Sequence, residues 1–177
     1  MSKDYAIAIS QVERIAKLCD FLDHPGLQAA IKSNVPVTMP QTPGALGFDA
    51  DIWLGLGTVG LWAALDAYAE RSGVQPNKCA TCSRKFCLSS RLACTGKLTP
   101  SHCMALGELE DVRHLFAHNF SGQADAAYFK WPRHVLCPAK HCTLSSGATF
   151  DGATIKLQPP NLRYYACHAR EALTRIV

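Results

Sequence analysis

The sequence predicts a mainly α, up-and-down helical bundle of four principal helices, with a small β-hairpin before the C-terminal helix. Three observations lead there. Apolar residues recur at helical spacing through long stretches of the chain. Segments rich in proline and glycine separate those stretches. One Asp-Gly pair, in Thr149-Phe150-Asp151-Gly152-Ala153-Thr154-Ile155, lies between short β-prone runs and marks a tight turn, because Asp-Gly tolerates positive φ.

The first helix is expected from about Lys3 to Leu22, with Ile7, Val12, Ile15, Leu18, Cys19 and Leu22 at helical intervals. Asp23-His24-Pro25-Gly26 breaks it, and Leu27–Lys32 supplies another turn or two. The stretch from Asn34 to Asp49 holds three prolines and two glycines and reads as a loop. Asp49 or Asp51 can cap a long second helix running to Arg71, with Ile52, Leu56, Val59, Ala63 and Ala67 on one stripe and Gly73 as its stop. Residues 74–100 form a cysteine-rich connection. A third helix follows with Ser101 as its cap, ending near Phe120, and Asp125–Lys130 adds a short turn. Residues 134–158 are an extended and hairpin insertion, opening with His134-Val135-Leu136-Cys137. Pro159-Pro160 then start a last helix whose inner face carries Leu162, Tyr165, Ala169, Leu173 and Ile176.

With 177 residues, 48% of them hydrophobic, the chain can bury one sizeable core, and residues 1–177 read as a single domain. Charged residues at 18% argue against global disorder, and a net charge of +4 permits an anionic partner without demanding one. Met1-Ser2-Lys3-Asp4-Tyr5 does not open a secretory signal, and the apolar run from Ile52 to Leu65 is shorter than the ~20 residues a bilayer requires. Nine cysteines, an odd number with no export signal, are expected to be reduced thiols. The expectation is a cytoplasmic protein without a membrane partner.

Gly55-Leu56-Gly57-Thr58-Val59-Gly60 matches G-x-G-x-x-G, the phosphate-binding turn of dinucleotide folds. That reading needs a preceding buried strand, and Asp49-Ala50-Asp51-Ile52-Trp53-Leu54 is too short and too acidic to be one. The alternative is a helix whose small residues let a neighbouring helix come close, against a propensity cost of about 1 kcal/mol per glycine.

Projecting the third helix at 3.6 residues per turn puts Ala105, Leu109, Val112, Phe116 and Phe120 on one stripe, taken as the core face. Glu110, His114 and His118 follow one another on the opposite side, with Asp111 nearby and Leu115 exposed among them. Arg113 sits at the edge of the core stripe, about 140° around from His118 at 100° per residue. The plain reading is a solvated polar face. A second is a metal site on the line Glu110-x3-His114-x3-His118.

Arg113-His114-Leu115-Phe116-Ala117-His118-Asn119-Phe120 also resembles the R-x4-6-H motif of the HEPN family, including a polar residue directly after the arginine. Members are helical bundles that often pair so that two motifs share a cleft, and many are metal-independent endoribonucleases acting as toxins or in phage defence. The resemblance implies His118 as general base or acid, Arg113 as phosphate stabiliser, and His114 as a second proton carrier or orienting group. Asn119 is an RNA-contacting candidate. It further implies RNA as substrate, a homodimer, a cognate antitoxin or regulatory protein, and no cofactor for catalysis. Phe120 stands where some relatives carry a tyrosine that a partner enzyme modifies. The chemistry is sound: histidine exchanges protons near neutral pH, and the planar guanidinium matches a phosphate gathering charge.

Cys79-x2-Cys82-x4-Cys87-x6-Cys94 are candidate ligands for a structural zinc, with free thiols in a long loop as the alternative. Arg84 and Lys85, with Arg91 and Lys97, make the same connection basic and offer an RNA-contacting rim. Cys137, His141 and Cys142 could make another small site, while Cys19 and Cys167 are expected in the core. Two rivals to a nuclease stand beside it: a non-catalytic HEPN-type module that binds nucleotide or RNA, and a zinc-stabilised protein-interaction domain.

Overall fold

A computed structural model of the chain describes residues 2–32, 50–74, 88–93, 95–119, 144–151 and 154–177. In chain order these form α1 (Lys3–Leu22), α2 (Pro25–Lys32), α3 (Ala50–Arg71), α4 (Leu88–Ala93), α5 (Pro100–Asn119), β1 (Thr149–Asp151), β2 (Thr154–Lys156) and α6 (Pro159–Ile176). The molecule is mainly helical, with the small antiparallel hairpin directly before its C-terminal helix.

Local chemistry sets the ends of these elements. Ser2 caps α1, its hydroxyl accepting from Tyr5 N at 3.2 Å. Gly73 closes α3 at φ +68°, and Val74 N reaches back to Ala69 O at 3.0 Å, the bonding of a left-handed helix stop. The cap of α5 is Thr99 and not Ser101: the helix begins at Pro100, where a missing N–H costs nothing, and Cys103 N bonds Thr99 O at 3.1 Å. Pro159 and Pro160 open α6, and Asn161 Oδ1 accepts from Gln158 N at 2.6 Å. In the hairpin Thr149, Phe150 and Asp151 pair with Lys156, Ile155 and Thr154. Asp151 is thus the last paired residue of its strand, not part of the two-residue link.

Cross-contacts give the helix directions. Asp4 and Tyr5 of α1 meet Arg71 and Tyr68 of α3, whereas Ile15 lies against Gly60, so these two helices run antiparallel. Gly55 and Trp62 of α3 meet Phe116 and Arg113 of α5, again in opposite order. On α6, Glu171 and Tyr165 meet His102 and Glu108 of α5, and Thr174 and Arg163 meet Tyr5 and Asp20 of α1. The four long helices therefore alternate in direction along the chain, an up-and-down bundle. The short α4 packs on α5 and α3, a helix inside the expected cysteine-rich connection.

The three glycines of the G-x-G-x-x-G stretch sit within α3, at its crossings. A Cβ at Gly55 would lie 2.1 Å from the Phe116 ring, one at Gly57 would lie 2.4 Å from Leu162, and one at Gly60 would lie 3.1 Å from Ile15. One helix thus meets α5, α6 and α1 at backbone distance. This inverts the expected stripe. Ile52 and Leu56 are 39% and 44% exposed and Ala63 is exposed, while Leu54, Thr58, Leu61, Leu65 and Ala69 face the core with the glycines. By length and mean hydropathy (1.3) the segment Ile52–Arg71 could cross a bilayer, and here just over half of it is buried, with α1, α4, α5 and α6 packed against it.

The other stripes agree with the projection in large part. Val12, Cys19 and Leu22 of α1 are buried, although Ile7 is 38% exposed. All five inner-face residues of α6 are buried, but Cys167 is exposed and not part of the core, because it falls one position past Ala166 on the outer side. On α5, Ala105, Leu109, Val112 and Phe116 are buried, and so are Leu106, Glu108, Asp111 and Leu115. Leu115 is 1% exposed and not on an open face, since α5 is covered by α3, α4 and α6.

If the glycines set the helix spacing, Gly55→Ala should destabilise the protein by about 1–3 kcal/mol, as overpacking does, despite alanine's better helix propensity. Gly107, also helical, has open space where a methyl group would stand, with nothing within 4 Å, so Gly107→Ala should stabilise by up to ~1 kcal/mol. Urea denaturation of the two variants gives the comparison.

Candidate functional site

Arg113 projects from α5 towards α3, where its guanidinium carbon lies 5.2 Å from the centroid of the Trp62 ring. Trp62 is 7% exposed, so the platform is fixed by the core, while Arg113 itself is half-buried. A cation over an indole face is held by the ring quadrupole. Among the described residues Arg113 makes no ion pair, and its Nε is buried without a hydrogen-bond partner. The site therefore holds an oriented, permanently charged fork with no described carboxylate on it. Trp62 went unrecognised in the sequence because it lies 51 positions away, on a different helix.

His118 and Asn119 lie in the last turn of α5, and their side chains fall outside the described residues. His114 is half-buried. Glu110 is committed to α4: Ser89 Oγ donates to its Oε2 at 2.5 Å, and Ser89 N lies 3.4 Å from the same oxygen. Glu110 thus neutralises the first turn of a short helix, which weakens its claim as a metal ligand on the Glu110–His114–His118 line. Burial of Leu115 also removes the exposed apolar surface that suggested a second copy packing there.

Cys79, Cys82, Cys87 and Cys94, with Arg84, Lys85, Cys137, His141, Cys142 and the Asp125–Lys130 turn, lie outside the described residues. The two described members of the basic rim have structural work. Arg91 reaches Asp66 at 3.5 Å and donates to Val74 O at 3.1 Å, tying α4 to the end of α3. Lys97 Nζ donates to Ile176 O at 2.8 Å, satisfying an end carbonyl of α6. Both are therefore spoken for within the chain and are not a free phosphate-contacting rim. Cys19 is an inert core thiol, its pKa pushed up to about 11 chiefly by burial.

Beneath α5 lies a polar cluster that no sequence pattern signals. Glu108 is 1% exposed, and its carboxylate accepts from Ser145 N at 2.7 Å, Ser146 N at 3.1 Å and Tyr165 Oη at 2.7 Å, with Ser146 Oγ as a further donor. Burial, then the charge of Glu108, pushes the Tyr165 phenol far above its ordinary range, so it is always a donor. Asn161 Nδ2 adds a bond to Ser146 O at 2.7 Å, and Gly147 turns the chain at φ +79°. A buried carboxylate with this many donors is compensated, and it fastens residues 145–146 before the hairpin to α5 and α6. Its role is architectural: it holds the segment entering the hairpin.

No family model, curated protein or solved structure matches this chain.

Tyr165→Phe removes one donor from a buried charge without changing the ring. It should cost about 1.5–3 kcal/mol, the range for hydrogen bonds to charged groups, and chemical denaturation would measure it.

Proposed function

We propose that the protein is a metal-independent endoribonuclease of HEPN type, with Arg113 as phosphate stabiliser and His118 as proton carrier. The observation that carries this reading is the guanidinium of Arg113, seated on Trp62 without a counter-anion among the described residues. Keeping an arginine charged, oriented and without an ion pair is of little use to stability, and it is what an anionic group gathering charge requires. The R-x4-6-H resemblance supplies the second residue on the same helix, in an up-and-down bundle.

In this mechanism the imidazole of His118 takes the proton from an RNA 2′-hydroxyl, whose oxygen attacks the adjacent phosphorus. The P–O5′ bond breaks, and the proton held by the His118 imidazolium passes to the departing 5′ oxygen, leaving a 2′,3′-cyclic phosphate and a 5′-hydroxyl. Arg113 stabilises the charge on the non-bridging oxygens. Five residues of helix set Arg113 and His118 about 140° apart, so a homodimer that brings two α5 helices together lets each phosphate see both groups. A toxin or phage-defence role, with a cognate inhibitor, is the setting that this chemistry fits.

His118→Ala and Arg113→Ala should each lower RNA cleavage by ~10²- to 10⁴-fold, the usual loss of a proton-transfer group, with circular dichroism unchanged. Excess chelator should leave wild-type activity intact, and DNA, lacking the 2′-hydroxyl, should resist. Undiminished cleavage by His118→Ala would overturn the mechanism, and no cleavage by the wild type would favour a binding module.

Trp62→Phe tests the platform separately. It weakens a contact of about 0.5–2 kcal/mol, so activity should fall by roughly 2- to 30-fold, and the pH profile should keep its shape because no titrating group is lost.

A further inference from the structure

At the opposite end of α5, three side chains from two helices converge. His102 lies in the first turn of α5, and His168 and Glu171 stand three residues apart on one face of α6. One ligand-capable atom from each lies within 4.8 Å of the others. His102 Nε2 is 2.8 Å from Glu171 Oε2, and the two imidazole rings meet edge to face with centroids 5.4 Å apart. Tyr164 packs on the His168 ring at 4.5 Å.

We propose that His102, His168 and Glu171 form a binding site for a divalent transition-metal ion, zinc being the best match, with the fourth position left to water. Two imidazoles and a carboxylate are a set that zinc accepts, and three protein ligands leave one place open. The ligands are also arranged as metal ligands are. His102 is 3% exposed, and its far nitrogen, Nδ1, is engaged by the hydroxyl of Thr99 and accepts from Thr99 N at 3.3 Å, which sets the ring plane. An ion pair between His102 and Glu171 would account for those two residues alone. It leaves unexplained why His168 Nδ1 is buried with no hydrogen-bond partner.

With metal–ligand bonds of ~2.0–2.1 Å in a tetrahedron, ligand atoms stand about 3.3 Å apart. The atoms stand within 4.8 Å of one another, so reaching that spacing takes shifts of up to about 1.5 Å, which the half-buried His168 and Glu171, with a side chain 59% exposed, can share.

This site is separate from Arg113, which lies eleven residues further along α5, roughly 16 Å along the axis. Its ion would clasp the start of α5 to α6, so it is compatible with chelator-resistant cleavage.

The test is zinc binding by the reduced full-length chain, compared with His168→Gln and Glu171→Gln. Both positions are accessible enough to change without opening the core, unlike His102. Isothermal titration should show one equivalent in the wild type that each variant binds at least ~100-fold more weakly, since even outer-shell losses cost 10- to 100-fold. Zinc at a hundredfold excess over Kd should raise the Tm by roughly 5–10 °C in the wild type and not through this site in the variants. Cobalt separates this site from any held by cysteines, because only thiolates give a strong near-ultraviolet charge-transfer band. The equivalent lost in the variants should lack that band. Equal zinc stoichiometry, affinity and thermal shift in all three proteins would overturn the proposal.

Discussion

The spacing of this bundle is set where α3 has no side chains. Gly55, Gly57 and Gly60 bring the backbone of one helix against Phe116, Leu162 and Ile15, and so against the other three long helices in turn. Dispersion energy falls steeply with distance, so the absence of three β-carbons gains close contact along three crossings. That gain offsets the helix propensity the glycines give up. Once α3 is central, the others have little freedom: α5 must place Phe116 opposite Gly55, and α6 must place Leu162 opposite Gly57.

The rotation of α5 follows from that seat. With Phe116 inserted at Gly55, Arg113 falls one turn earlier on the same side, and Trp62 lies two turns beyond Gly55 on α3. The cation–π contact is therefore a product of the same antiparallel crossing that packs the core. Charge fixes two further sides of α5. Glu110 meets the first turn of α4, and Glu108 gathers donors from residues 145–146 and α6. Two buried or half-buried carboxylates two residues apart thus point to different neighbours, which is possible because they lie about 200° apart around the helix.

Polar chemistry is distributed along α5 in layers. His102 and its α6 partners occupy the first turn, Glu108 the middle, and Arg113 the turn approaching the C-terminal end. His102 and Glu108 draw on different turns of α6 and Arg113 draws on α3, so each can serve a separate purpose without sharing a residue.

The amino-acid sequence by itself determined the four long helices, the glycine stop of α3 and the presence of a hairpin before α6, because these follow from periodicity, proline, glycine and β-prone runs acting over a few residues. It also sufficed to place the G-x-G-x-x-G stretch inside a helix, since the motif lacked its strand. Which face of a helix is inside was a different matter. On α3 the large apolar Ile52 and Leu56 lie outward while glycines lie inward, and on α5 Leu115 is covered by the same chain. A projection assumes one partner and equates size with burial, and both assumptions fail for helices with neighbours on several sides. Trp62 beneath Arg113, the donors around Glu108, and the meeting of His102 with His168 and Glu171 were decided only by the tertiary structure. Each joins residues dozens of positions apart, and no local pattern records which helix faces will meet.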